Sequence, residues 1–424
     1  MSTRPALRRG WCPGALRPMQ SGDGLLLRIR PRLGTFDIAA LKTIARVASE
    51  FGSGQIDLTN RANLQLRGLT AKSHQQALSL LDEARLIDDD PDAEAVRNVV
   101  VDPLSGIDPV RADVRSFAHE LESILSTARG FRHLPGKFGF SFSGSEDPHI
   151  GGRSTDIMVS VTSPDRFAIR LDDNISVAAV LSPDKVTAAI THLASVFLEL
   201  RASDPAIGRM RDAVGRRGSA MIYAAAGLGS SMLAPVSHPR SDSPPVGMMG
   251  HSDRVYAAGV GLPFGRIDSD QLESLCALAA ALKRDTVRMS PQRTLVFPVD
   301  GESQATAILR EAERLSLIAK PNDLRLFFDV CPGSPACTNA TTETRSDARR
   351  IAEALVGQAL SSVHISGCEK GCARHGAAAL TLVARHGRYD LICNDGPDGP
   401  VTLTGISPAE IDAAVARFVI EQTL

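Results

Sequence analysis

The sequence predicts an α+β protein built from two pseudo-equivalent halves, and three observations carry that expectation. Segments with the two-residue apolar period of strands alternate with segments of helical period. One strand–helix–strand–turn–strand pattern occurs twice, 231 residues apart (265 − 34). A second pattern, further along each half, also occurs twice, at offsets of 223 (365 − 142) and 222 (388 − 166). Matches in the same order along both halves point to an internal duplication.

In chain order, Leu25–Arg30 reads as the first strand. Gly34-Thr-Phe-Asp37 then precedes a helical run of Ile38, Leu41, Ile44, Ala45 and Ala48, with Asp37 placed to accept from the first free N–H groups. Strands at Gln55–Leu58 and Leu64–Arg67 flank a polar turn, and an amphipathic helix follows near Ser73–Ala84. The second copy runs Val255–Gly259, then Gly265-Arg-Ile-Asp268 before Leu272, Leu275, Leu278 and Leu282. It continues through Thr286–Met289, Leu295–Pro298 and a helix near Ser303–Leu315.

Later in each half, Phe142-Ser-Gly-Ser-Glu146 lies opposite Ile365-Ser-Gly-Cys-Glu369, and Arg166–Asp173 lies opposite Arg388–Asp395. Asp172-Asp173-Asn174 between apolar runs is a hairpin signal. A helix closes each half, over roughly 184–201 and 408–421. The Pro- and Ser-rich stretch before Gly250 reads as a linker. The expected units are an N-terminal segment 1–21, a first repeat 22–90, a first module 91–238, a linker 239–250, a second repeat 251–320 and a second module 321–424.

Composition narrows the function. The chain has 424 residues, enough for about two to four domains, with 43% apolar and 22% charged residues. A formal net charge of −1 argues against a nucleic-acid-binding protein. No run of eighteen apolar residues is present, and no apolar signal core follows the arginines of Met1–Trp11. Seven cysteines without a secretion signal suggest a reducing, cytoplasmic setting and metal-bound or free thiols.

Four of those cysteines form two close pairs, Cys331-x5-Cys337 and Cys368-x3-Cys372. Four thiolates are the ligand set of a 4Fe–4S cluster. Structural zinc usually takes pairs two to four residues apart, so the wider first loop, with Gly333 and two prolines, suits a larger group. A zinc-stapled, non-catalytic tetrapyrrole-binding protein and unrelated buried thiols are the competing accounts. Opposite Cys368 the first half has Ser145, and opposite Cys331-Pro332 it has Asp102-Pro103, so the cluster is expected in the second half alone.

Both cysteine spacings, on a chain of two ferredoxin-like repeats, resemble the sulfite/nitrite reductase superfamily. Thr59-Asn-Arg-Ala-Asn-Leu-Gln65 is similar to its Thr-x-Arg-x-x-x-Gln stretch, and Arg97-Asn98-Val99 to its Arg-Asn-Val. The segment Arg9-Gly-Trp-Cys-Pro-Gly-Ala-Leu-Arg-Pro-Met-Gln-Ser-Gly-Asp-Gly24 resembles the opening of the precorrin-3B synthase family of aerobic cobalamin biosynthesis. The resemblance implies a sulfite/nitrite reductase-like fold, each half pairing a ferredoxin-like repeat with a cluster- or tetrapyrrole-binding module. It also implies oxygen-dependent hydroxylation and lactone formation on precorrin-3A, with electrons from NADH. A sirohaem-dependent sulfite or nitrite reductase is the alternative, in which Cys372 would also ligate sirohaem iron. Oxygen chemistry leaves room for a mononuclear non-haem iron as a second metal.

The same resemblance implies an anion-binding cage of two arginines and two lysines. Arg61 and Lys137 match two of its members and are the expected catalytic residues; Gly139 stands at the second lysine position, and the stretch before His133 looks shortened. A thinned cage would hold a small dianion poorly and give a macrocycle room. Precorrins carry many carboxylates, which arginine forks bind bidentately. Arg61, Asn63, Gln65, Arg97, Asn98, Gln292 and Arg293 are therefore the expected tetrapyrrole contacts, with Arg28 and Arg30 as weaker candidates. Solvated charge and turn capping are the plainer fates of these residue types.

Cys12 opens an unusual Cys-Pro-Gly run, although a buried thiol at a turn is its plainer account. Cys276 and Cys393 fall in a helix and a strand as core residues, and His364 and His375 flank the second cysteine loop. The pattern of Gly130, Gly136 and Gly139 is no dinucleotide fingerprint, so a separate NADH-dependent donor is expected.

Overall fold

The computed structural model describes residues 12–145, 155–172, 177–236, 243–251, 254–358, 360–374 and 376–423. Glu146, Asp173, Asn174, residues 239–242 of the expected linker and His375 lie outside them.

The duplication is present at the level of hydrogen-bond register. Asp37 caps the helix Ile38–Phe51 by accepting from the Ala40 N–H at 2.6 Å. Asp268 does the same for Ser269–Ala281, accepting from the Gln271 N–H at 2.8 Å. The repeats do not fold as separate units, however. The strand Thr35–Asp37 of the first repeat joins the sheet of the second, beside Thr286–Ser290, and Arg266–Asp268 of the second joins the sheet of the first, beside Gln55–Leu58. The exchange is symmetric, pairing Asp37 with Thr286 and Asp268 with Gln55.

Each exchanged strand directly precedes a capped helix, and Phe36 and Ile267 carry its apolar face into the interior. One hydrophobic core, with the two capped helices against each other, therefore serves both repeats. The repeats expected over 22–90 and 251–320 are thus joined through one interior. Met19–Ser21 forms a hairpin with Gly24–Ile29, and Gly247–His251 pairs with Arg254–Gly261, so neither belongs to a tail or linker. Strands that short, rich in Gly and Ser, have no readable apolar alternation.

Each half also carries a mixed sheet. The strands Val99–Val101, Phe140–Ser143 and Ile157–Ser163 run parallel, followed by antiparallel Arg166–Leu171 and Val177–Leu181. In the second half Phe328–Val330, Val363–Ser366 and Ala378–Arg385 run parallel, followed by antiparallel Arg388–Asp395 and Val401–Ile406. Helices Arg115–Thr127 and Thr344–Ala354 make the corresponding first crossovers. Among the described residues no helix is long and apolar enough to cross a membrane.

A candidate cluster site facing a basic sheet

Parallel strands deliver the cysteines. Phe328–Val330 and Val363–Ser366 are neighbours in register, Val330 beside Ile365, and each runs straight into a cysteine-bearing loop. Both loops thus leave the same edge of one sheet. The Cys331 N–H donates to Ile365 O at 3.1 Å, and the Gly367 N–H donates to Cys331 Sγ at 3.1 Å. Thr344 Oγ1 donates to Cys331 O at 2.7 Å, and the Cys337 N–H to Gly333 O at 2.8 Å. At Gly333 (φ +70°) a Cβ would come within 2.4 Å of Thr344 Oγ1, so the loop needs glycine there.

The four thiols share one electrostatic neighbourhood. Burial pushes Cys368 up, and Cys331 and Cys337 add to it. Cys372 is pushed up to about 11, first by burial, with Cys368, Cys331 and Cys337 contributing. Thiols so placed keep their protons until a cation among them offsets the charge, and metal binding then releases the protons. No three His, Cys, Asp or Glu residues among those described are arranged around a single ion. Four thiols on two glycine-containing loops, with a backbone N–H on one sulfur, fit a 4Fe–4S cluster by their donor chemistry.

Facing these loops is the polar side of the first repeat's sheet. One row crosses four strands: Arg28 beside Gln65, Gln65 beside Asp57, and Asp57 beside Arg266. Strand alternation puts Arg30, Asn63 and Arg67 on the same side, while Leu27, Ile29, Ile56, Leu66 and Ile267 fill the core on the other. Asp57, 4% exposed, accepts from Arg266 Nε at 2.7 Å, Arg266 Nη2 at 3.1 Å and Arg345 Nη1 at 2.8 Å. Arg345 lies in the helix that follows the first cysteine loop, so this ion cluster fastens the second module to the first repeat.

Three guanidinium groups gather at the other end of that row. Arg28 is lowered to about 10, by burial first and then by Arg30, with the Cys12 thiol beside it partly offsetting both. Its Nε is buried without a hydrogen-bond partner. Arg30 donates to Glu94 at 3.3 Å and to Asn98 Oδ1 at 2.6 Å. Burial also lowers Arg61, which feels Arg209 and Arg30, and its Nη2 donates to Lys137 O at 2.9 Å.

The expected site residues divide accordingly. Arg61 and Gln65 belong to the cation-bearing face, and Lys137 is exposed on the loop that Arg61 touches. Asn63 closes the turn that presents Arg61, exchanging hydrogen bonds with Thr59. Asn98 Nδ2 donates to Gly136 O at 3.2 Å and Phe138 O at 3.1 Å, bracketing Lys137, so its contacts make it a positioning residue. Arg97, expected to meet substrate, is buried. It pairs with Asp88 at 2.7 Å and donates to Pro31 O and Arg30 O, so both its terminal nitrogens are committed inside the protein, although its Nε, like that of Arg28, is buried without a partner.

Arg293 pairs with Asp329 at 3.1 Å and supports the strand that leads to Cys331, while Gln292 takes part in the turn through Ser290. A Cβ at Gly139 would already touch Asn98 O at 3.4 Å and Thr155 at 3.6 Å. That glycine is buried in the first module and does not open the wide space expected of it. The cation group is also fuller than expected, because Arg28 and Arg30 join Arg61. The signal for both lay in Leu25–Arg30, whose alternation put two arginines on the face opposite Leu27 and Ile29. Cys276 is buried in its helix and Cys393 lies in the strand Arg388–Asp395, as expected.

The first half shows what stands in place of the cysteines. The Asp102 N–H donates to Phe142 O at 2.9 Å, matching Cys331 to Ile365. Arg111 ties these positions together, donating to Asp102 at 2.9 Å, Asp108 at 3.1 Å and Ser145 Oγ at 2.6 Å. The basic row is lost too, its counterpart being Gly259, Val296, Arg288 and Thr35.

An exchanged pair of ferredoxin-like repeats with one four-cysteine module is the architecture of a nitrite/sulfite reductase-like protein. Residues 17–84 and 249–315 each match the nitrite/sulfite reductase ferredoxin-like half domain. The solved structure of the NirA protein of Mycobacterium tuberculosis superposes with a TM-score of 0.73 at 19% identity, over 93% of this chain and 80% of that one. A precorrin-3B synthase of Sinorhizobium sp is 31% identical over 94% of this chain and 85% of its own. A ferredoxin–nitrite reductase of Synechococcus elongatus is 24% identical over 98% and 89%. Within the nitrite/sulfite reductase class, the chain belongs to the precorrin-3B synthase family.

Replacing Arg28 or Arg61 by Gln is expected to weaken binding of a polycarboxylate tetrapyrrole. Each lost charge-assisted contact costs about 1.5–3 kcal/mol, a roughly 10- to 150-fold loss. Arg97→Gln should instead lower stability. Fluorescence titration beside thermal denaturation separates the two, and equal affinities in wild type and both Arg28 and Arg61 variants would place the substrate elsewhere.

Proposed function

We propose that this chain is a precorrin-3B synthase, an oxidoreductase that hydroxylates precorrin-3A at a meso carbon and closes an acetate side chain to a lactone. The observation that carries this reading is the buried, partnerless Nε of Arg28 within a group of guanidinia, on the sheet face opposite the cysteine loops. A tetrapyrrole bearing several carboxylates supplies counter-charge to Arg28 and Arg61, which, unlike Arg30 with Glu94, bond no carboxylate among the described residues.

Cys331, Cys337, Cys368 and Cys372 would hold the 4Fe–4S cluster, which supplies single electrons to the site. Arg28 and Arg61 would bind substrate carboxylates and fix the macrocycle's orientation. Asn98 holds the loop of Lys137, whose exposed ammonium can hydrogen-bond a reacting oxygen or deliver a proton to it. One oxygen atom of dioxygen enters the product and the other leaves as water. Two electrons arrive from NADH through a separate donor, and two protons from solvent or Lys137.

The test is turnover of precorrin-3A with a reductant and labelled dioxygen. One labelled oxygen should enter the product as a hydroxyl, with negligible reduction of sulfite or nitrite in the same preparation. Label derived from water, or robust sulfite reduction, would overturn the monooxygenase reading in favour of a sirohaem-dependent reductase.

A further inference from the structure

The first half reaches into the cysteine loop of the second. The turn of the Met19–Ile29 hairpin lies on Pro335–Cys337, and the carbonyl of Ala336, the residue before Cys337, receives three donors. These are Ser21 Oγ at 2.6 Å, Arg67 Nη2 at 2.6 Å and the Gly22 N–H at 3.3 Å. The approach is close enough that a Cβ on Gly22 would fall 2.1 Å from Pro335 O and 3.3 Å from Cys337 N. Arg67, 3% exposed, is itself aimed by Asp23, through Nε at 2.8 Å and Nη2 at 3.0 Å, and by Ser21 Oγ at 2.9 Å.

We propose that Ser21, Gly22 and Arg67 are positioning residues for the cluster, fixing Cys337 from the other half of the molecule and placing a buried cation beside the cluster loop. The inference rests on the reading that the four cysteines hold a cluster. Hydrogen bonding and nearby charge are the protein's levers on a cluster's potential. A cluster gains negative charge on reduction, so a buried guanidinium on its loop favours the reduced form. The second strand of that hairpin, Gly24–Ile29, carries Arg28 and leads directly into Arg30, so one hairpin spans the cation group and the cysteine loop.

The holoprotein is titrated potentiometrically under anaerobic conditions, with the reduced cluster followed by electron paramagnetic resonance. Arg67→Gln should shift the potential to a more negative value and speed cluster loss in air. Arg67→Lys, which keeps the charge but not the fork, should recover the potential more than the loss rate. Ser21→Ala, a small change that should leave folding intact, removes one donor from Ala336 O and should speed loss without a comparable potential shift. Unchanged potential and loss rate in Arg67→Gln and Ser21→Ala would overturn the proposal. A wild-type protein that binds no iron or sulfide would instead overturn the cluster reading beneath it.

Discussion

Replacing Cys331, Cys337, Cys368 or Cys372 by serine is expected to abolish the iron–sulfur absorption or leave a damaged cluster, whereas Cys276→Ser and Cys393→Ser should retain it. A serine oxygen is a harder, less polarisable donor than thiolate and seldom replaces it on iron–sulfur centres. Bound iron should fall from about four per chain toward zero. The effect is expected at all four positions because parallel neighbouring strands send both cysteine loops off one sheet edge. Cys276 is a suitable contrast, since its helix buries it completely within the apolar core that the two repeats share. Iron and sulfide analysis with electron paramagnetic resonance checks the series. A cluster that survives Cys337→Ser yet disappears in Cys276→Ser would refute the assignment.

Asp57→Asn should produce a larger loss of stability than Arg97→Gln or Ser21→Ala. Its carboxylate is shared by Arg266 and Arg345, with Arg67 at 3.9 Å. Removing one partner of a buried ion pair leaves uncompensated charge and costs about 3–5 kcal/mol. Here one carboxylate serves three guanidinia, so the upper part of that range is expected. Burial by itself would raise this carboxyl, but Arg345, Arg266 and Arg67 outweigh it and hold it well below the usual carboxylate range.

The sign of the pH dependence follows. A carboxyl lowered in the folded state stabilises fully above its unfolded value, about 3.9, and loses that contribution as pH falls through the folded one. The gap between wild type and Asp57→Asn should therefore be constant near neutrality and shrink below about pH 4. Urea denaturation at pH 7 and pH 3 measures both. A loss under about 1 kcal/mol at pH 7 would mean that the pairs are screened or replaceable.

Much of this was legible along the chain. Helix caps at Asp37 and Asp268, strands at Gln55–Leu58 and Thr286–Met289 (the latter one residue longer in the structure), and the paired cysteines depend on local spacing and local hydrogen bonds, which sequence records directly. Local pattern also located the turn of Arg61, whose neighbour Ala62 (φ +57°) matches Arg293 (φ +61°) in the second copy. Less legible was the division of labour among arginines. Arg97 and Arg28 look alike in sequence, yet one is neutralised by Asp88, while no carboxylate among the described residues bonds the other. A charge's role depends on what is packed around it.

The sequence by itself determined the duplication, the position of the four paired cysteines in the second half, and the presence of Asp102 and Ser145 opposite Cys331 and Cys368 in the first. Only the tertiary structure decided that the repeats exchange a strand and share a core. It also decided that the first repeat's basic face, through Asp57, Arg345, Arg67 and Ala336, is fastened to the second half's cysteine loops. The reason is range: periodicity fixes which face of a strand is polar, but a three-residue strand has too little pattern to choose its partner. That choice is made by apolar burial of Phe36 and Ile267 and by ion pairs between residues hundreds of positions apart, none of which leaves a trace in local sequence.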